Sequence, residues 1–196
     1  EIKGYGKPYS GNWRDWQIGS AQPFSEMLLM LDPYLDDQET KAYADKIAYY
    51  CSDPAKQLGG PTATGANRGD IGLSVLAIGI LTENDSFTDL IPTRIPEIWK
   101  YVTSGDGYYT DGSFLQHNTI AYSGSYGVEV LRSIANLIAL TEGTKWQLSN
   151  TANFNNLNSI IPDTYLSIVQ NGQMMSMVMG RSVSRAPGLN KYAPVF

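Results

Sequence analysis

The sequence predicts an all-α fold, because apolar residues recur at helical spacing, cap and stop signals bracket those segments, and no strand–helix alternation interrupts them. Pro23 to Leu31 places Phe24, Met27, Leu28 and Leu31 at helical spacing, with Pro23 suited to a first turn. Asp36 and Glu39 form a capping-box pattern ahead of Lys41 to Cys51, where Tyr43, Ile47, Tyr50 and Cys51 share a face. Ile71 to Leu81 is apolar nearly all round and contains Gly72 and Gly79, which predicts an inner helix closely covered by others. Pro92 and Pro96 interrupt the next stretch, so a helix is expected only from Pro96 to Val102. Gly127 to Leu140 carries the strongest pattern, with Val130, Leu131, Ile134, Leu137 and Ile138 before a Gly143 stop. Asn158 to Val169 forms another helix, closed by Asn171-Gly172. Met174 to Met179, followed by alternating Arg181-Ser182-Val183-Ser184-Arg185, predicts a short extended ribbon at the C-terminal end.

Length and composition narrow the function. A chain of 196 residues suits one domain with a real core. No apolar run approaches the roughly 18 residues that span a bilayer, so no membrane partner is expected. The net charge of −5 argues against a general nucleic-acid binder, and attraction to a polyanion must then come from locally placed arginines. Cys51 is the single cysteine and reads as a small buried hydrophobe, with no disulfide framework. One histidine and scattered aspartates show no metal-ligand spacing, so neither metal nor cofactor is implied. The first residues lack the basic and apolar regions of a signal peptide, and the chain reads as a piece of a longer protein.

Two stretches are too long and too decorated for simple connectors: Gly59 to Asp70 and Ser104 to Tyr126. The second concentrates glycine, aspartate, tyrosine and the only histidine, from Gly105 to His117 and from Tyr122 to Gly127. Glycines allow a backbone to approach a ligand closely, and tyrosines offer both a stacking face for a sugar and a hydroxyl.

These residues resemble polysaccharide lyase family 8, which includes hyaluronate, chondroitin AC and xanthan lyases. Asn12-Trp13-Arg14-Asp15-Trp16-Gln17-Ile18-Gly19 is similar to the family's Asn-Trp-Trp-Asp-Tyr-Glu-Ile-Gly signature. Thr64-Gly65-Ala66-Asn67, Asp111 to His117, Ala121 to Gly127 and Gly180 to Arg185 follow in family order. The resemblance implies an incomplete (α/α) toroid of helical hairpins. Residues 1–196 would form the central and C-terminal part of the catalytic domain, with flanking helices and a following β-sandwich outside it. It also implies a secreted, monomeric enzyme acting on an acidic polysaccharide, hyaluronan or chondroitin ahead of xanthan.

The implied reaction is β-elimination. A proton leaves C5 of a uronate, the 4-linked oxygen departs, and an unsaturated sugar remains. The family's catalytic residues fall on Asn67, His117 and Tyr126, and its arginine pair on Arg181 and Arg185. Asn67 would hydrogen-bond the uronate carboxylate and stabilise enolate-like charge. Tyr126 is favoured for both proton transfers, with His117 activating it or binding the carboxylate. Arg181 would stand by Tyr126 and favour its ionised form, while Arg185 holds substrate. Trp13 and Trp16 fit a sugar platform, Arg14 departs from the family signature inside that patch, and Arg68 is a further anion contact.

Plainer readings remain open beside these: core packing for the tryptophans, a structural salt bridge for Arg68, a solvated face for Arg181 and Arg185. Two rivals also stand. A glycoside hydrolase would need two flanking carboxyls, for which Asp70, Asp106 and Asp111 are available. A non-catalytic sugar-binding domain would use Trp13, Trp16, Tyr108 and Tyr109.

Overall fold

A computed structural model describes residues 5–185 and is organised around one inner helix. Helices α1 (Ala21–Leu31), α2 (Asp37–Ala48) and α3 (Gly65–Leu81) are followed by the short α4 (Asp85–Thr88) and α5 (Leu90–Arg94). The longer α6 (Tyr126–Thr141) and then α7 (Leu157–Tyr165) complete the helical part. Helix α3 packs against α1, α2, α4 and α6, which explains why its sequence is apolar on nearly every side. Ile71, Val75, Leu76 and Ile78 are all buried along it. At Gly72 an added Cβ would lie 2.7 Å from Ile95 Cδ1, so the side chains of neighbouring segments pack directly onto the helix backbone there.

The Asp36 capping box is complete. Glu39 N–H donates to Asp36 Oδ1 at 2.8 Å, and Asp36 N–H donates to Glu39 Oε2 at 3.2 Å. Cys51 is buried, as its apolar surroundings predict.

Helix α3 begins six residues before Ile71, where apolar periodicity starts. Gly65, Ala66 and Gly69 are buried because their small size lets other segments come close, and small residues leave no hydrophobic stripe to read. The latter half of the expected 59–70 loop is therefore helical, and Asn67 sits in a first turn.

The helix expected from Pro96 to Val102 is corrected to a 3₁₀ turn, Ile95–Ile98. Pro92 is accommodated within α5 instead.

The long 104–126 stretch folds into a small antiparallel sheet of β1 (Gly107–Tyr108), β2 (Phe114–Gln116) and β3 (Ile120–Ala121), in that order. Tyr108 pairs with Phe114, and Gln116 with Ile120, leaving His117 at the β2–β3 turn. A second ribbon joins β4 (Val169–Gln170) to β5 (Gln173–Met174) around Asn171 and Gly172, both at positive φ. The extended ribbon thus lies earlier than expected, and Gly180–Ser184 is a 3₁₀ turn. Gly180, at φ +51°, lies against the Tyr122 ring where a Cβ would collide, and buried Met179 anchors the turn. Among the described residues no helix is long and apolar enough to cross a membrane.

Candidate active site

A cleft of about 470 Å³ opens where α3, α6, the segment at Asn12 to Ile18 and the turn at Arg181 converge. Asn67 and Asp70 reach it from α3, and Tyr126, Glu129 and Arg132 from α6. Residues three apart lie on one helical face, so Asn67 with Asp70, and Tyr126 with Glu129, present together. Arg14, Arg181 and Arg185 line the same space. Arg14 precedes a π-helical turn, Asp15–Gly19, a wider winding that occurs often at functional sites.

Among the described residues, four arginines and two acids line this cleft, on a chain of net charge −5. Arg132 pairs with Glu129 at 2.6 Å, which leaves Arg14, Arg181 and Arg185 facing one further acid among the described residues, Asp70. The local field therefore favours an anion despite the overall charge.

Tyr126 is the centre of the arrangement. Arg181 Nη2 donates to its phenol oxygen at 3.0 Å. The His117 ring meets the Tyr126 ring nearly edge-on at 5.3 Å, and Tyr122 closes the aromatic triangle, 4.8 Å from Tyr126 and 5.8 Å from His117. Arg181 N–H also donates to Tyr122 Oη at 3.3 Å, which seats the arginine's backbone as well as its head. A guanidinium at this distance stabilises the phenol oxygen whenever that oxygen carries negative charge. The Asn67 side chain is half-buried and makes no hydrogen bond to any described residue, so its amide can serve a ligand.

Asp70 and Ser133 join the two helices that carry Asn67 and Tyr126. Ser133 Oγ donates to Asp70 Oδ1 at 2.7 Å, and a Cβ on Gly69 would lie 2.7 Å from Ser133 Cβ. Gly69→Ala should therefore push α3 from α6 and destabilise the domain by about 1–3 kcal/mol, read as a lower denaturation midpoint. An unchanged midpoint would show slack at this crossing.

Burial pushes the Asp70 carboxyl above its ordinary range, an effect the Ser133 hydrogen bond reduces. The folded state then holds this proton more tightly than the unfolded chain. Stability is fully present below the unfolded carboxylate value and is lost as pH rises through the folded one. Asp70→Asn keeps an acceptor for Ser133 and removes this loss. The variant should gain melting temperature relative to wild type as pH rises above the ordinary carboxylate value of about 4, and a constant difference at all pH values would contradict the assignment.

The other predicted residues lie elsewhere. Arg68 is buried; its Nε donates to Ala63 O at 2.8 Å and its Nη1 to Arg94 O at 3.2 Å, tying α3 to neighbouring backbone. Trp16 Nε1 donates to Ser10 O at 2.9 Å, and its ring stacks on Tyr5 at 6.2 Å and meets Tyr50 at 5.7 Å. Trp13 is half-buried against the core. None of the three lines the cleft. Glu129 and Arg132 were not foreseen, although their spacing from Tyr126 on a polar helical face was available as a signal.

Comparison with known proteins identifies the family of the chain. Residues 2–195 match the polysaccharide lyase family 8, N-terminal alpha-helical domain. The chain is 40% identical over 194 residues to the polysaccharide lyase 8 family protein HylA of Enterococcus faecalis, covering 97% of this chain and 14% of that protein. It is 37% identical to the hyaluronate lyase HylB of the same organism, covering 96% of this chain and 20% of that one. Among solved structures, a Paenibacillus xanthan lyase superposes with a TM-score of 0.85 at 33% identity, over 97% of this chain and 18% of that chain. A Streptomyces coelicolor A3 chondroitin AC lyase in complex with chondroitin sulphate gives 0.85 at 31% identity, over 94% of this chain and 25% of that one. The chain thus spans a fifth or less of the length of these two curated relatives. It belongs to polysaccharide lyase family 8, as part of the N-terminal α-helical domain that carries this cleft.

Proposed function

We propose that the protein containing this chain is a secreted polysaccharide lyase, which cleaves a uronic-acid-containing polymer by β-elimination. The observation that carries the reading is the Arg181–Tyr126 hydrogen bond of 3.0 Å, with His117 against the same ring and Asn67 in the same cleft. Asn67 donates to the uronate carboxylate, which accepts charge as the C5–H bond breaks. Tyr126, as phenolate beside Arg181, takes that proton. The C4–C5 double bond forms, the C4–O bond breaks, and Tyr126 returns the proton to the departing oxygen. Arg14 and Arg185 hold the anionic chain, and His117 orients the Tyr126 ring or binds the carboxylate.

Hyaluronan or chondroitin is the favoured substrate, with xanthan second. Hyaluronate lyase names recur among the relatives, and a chondroitin AC lyase has been solved with chondroitin sulphate. A following β-sandwich region and flanking helices complete the cleft in this reading, and the enzyme acts as a monomer.

The hydrolase reading has one observation in its favour: Asp70 and Glu129 both line the cleft. Glu129 is paired with Arg132 at 2.6 Å and Asp70 is held by Ser133 at 2.7 Å, so both have structural partners.

The test incubates the intact protein separately with hyaluronan, chondroitin and xanthan and follows near-ultraviolet absorbance. A rise on at least one polymer is expected from the unsaturated uronate. Chain shortening without that absorbance would replace elimination with hydrolysis.

A further inference from the structure

We infer that Asp106 is a positioning residue that holds the Asn67 and His117 segments in register from behind the cleft; the inference rests on the lyase reading above. Asp106 does not line the cleft. Its carboxylate instead accepts hydrogen bonds from three separate places, each adjoining one of those residues. Thr64, three residues before Asn67, donates through Oγ1 to Asp106 Oδ2 at 2.7 Å. Gln116, directly before His117, donates through Nε2 to the same oxygen at 2.8 Å. Asn118, directly after His117, donates its backbone N–H to Oδ1 at 2.6 Å.

Two local features show that these bonds are not incidental. Thr64 occupies the N-cap of α3, where a threonine hydroxyl ordinarily accepts from the helix; here it makes no capping bond and turns to Asp106 instead. His117 and Asn118 stand at φ +56° and +68°, a left-handed conformation that side-chain-bearing residues keep only when their surroundings hold them. The Asp106–Asn118 bond closes that turn, and Gln116, nearly fully buried, fills the space between the turn and α3. Gln116 Nε2 also lies 3.3 Å from Thr64 Oγ1, so the three segments share one network. An ionised acceptor makes each bond stronger than a neutral one would.

The experiment compares Asp106→Asn and Thr64→Val with wild type in the intact protein, reading steady-state kinetics and amide exchange together. Asparagine keeps the shape but turns one acceptor oxygen into an NH₂ group facing donors. Displacement of Asn67 and His117 should lower kcat about 10- to 100-fold while KM stays within about threefold. Thr64→Val removes one of the three donors and should lower kcat less. Exchange at the Asn118 and Arg68 amides should quicken at least about tenfold, while Val130 and Ile134 inside α6 stay protected.

Unchanged kcat in Asp106→Asn overturns the inference. So does exchange that rises equally in α6, because that marks a general stabiliser. If wild type releases no unsaturated uronate from any polymer, the lyase reading fails on its own. Exchange then decides the anchoring: a local rise at Asn118 and Arg68 upholds it, and no rise overturns it.

Discussion

Tyr126→Phe in the intact enzyme should lower kcat about a thousandfold and leave KM within a few-fold, because it removes the proposed acid–base oxygen and little else. The ring remains, and with it the packing against His117 and Tyr122. Arg181 loses its 3.0 Å contact but lies at the exposed mouth of the cleft, where water can replace a hydroxyl. Folding should therefore be untouched, and the melting temperature of the variant serves as the control. Initial rates over a range of polymer concentrations separate the two parameters. A fall below tenfold would remove Tyr126 from the proton path and leave His117 as the base.

Asn67→Ala should show the next largest effect, a fall in kcat of about a hundred- to a thousandfold, since in the proposed mechanism Asn67 faces the charge that develops on the uronate. Its side chain makes no hydrogen bond within the described protein. Alanine is also the better helix former in the first turn of α3. Stability should therefore hold or rise while catalysis falls, an opposition typical of a residue placed for function. If kcat and stability fell together, Asn67 would be a structural residue and the carboxylate would have to be held elsewhere.

Much of this architecture was legible because long helices with large apolar side chains announce themselves. Helices α1, α2 and α6 follow their hydrophobic periodicity, and the Asp36–Glu39 capping box is visible as two letters three positions apart. The start of α3 was hidden for a physical reason. Gly65, Ala66 and Gly69 are buried by close approach, a property of the partner segments rather than of the residues themselves. The alternation Arg181 to Arg185 resembled a strand, yet Gly180 at positive φ and the anchored Met179 turn it into a 3₁₀ segment.

The site shows the same division. The residues on family motifs were nameable from sequence, and the structure brings Asn67, Tyr126, Arg181, Arg14 and Arg185 to one cleft with His117 against Tyr126. What joins them was not nameable. The Asp70–Ser133 bond spans 63 residues and the Thr64–Asp106 bond 42, and pairings at such separation leave no local pattern. The packing of Trp16 against Tyr50 likewise joins segments far apart in sequence.

Elimination and hydrolysis leave different marks on the cut ends, and product mass after digestion in water labelled with heavy oxygen reads the difference. The intact enzyme should release unsaturated fragments that carry no solvent oxygen at the new ends, because elimination adds no water across the broken bond. One labelled oxygen at each cleavage would contradict the account and direct attention to Asp70 and Glu129 as a hydrolytic pair.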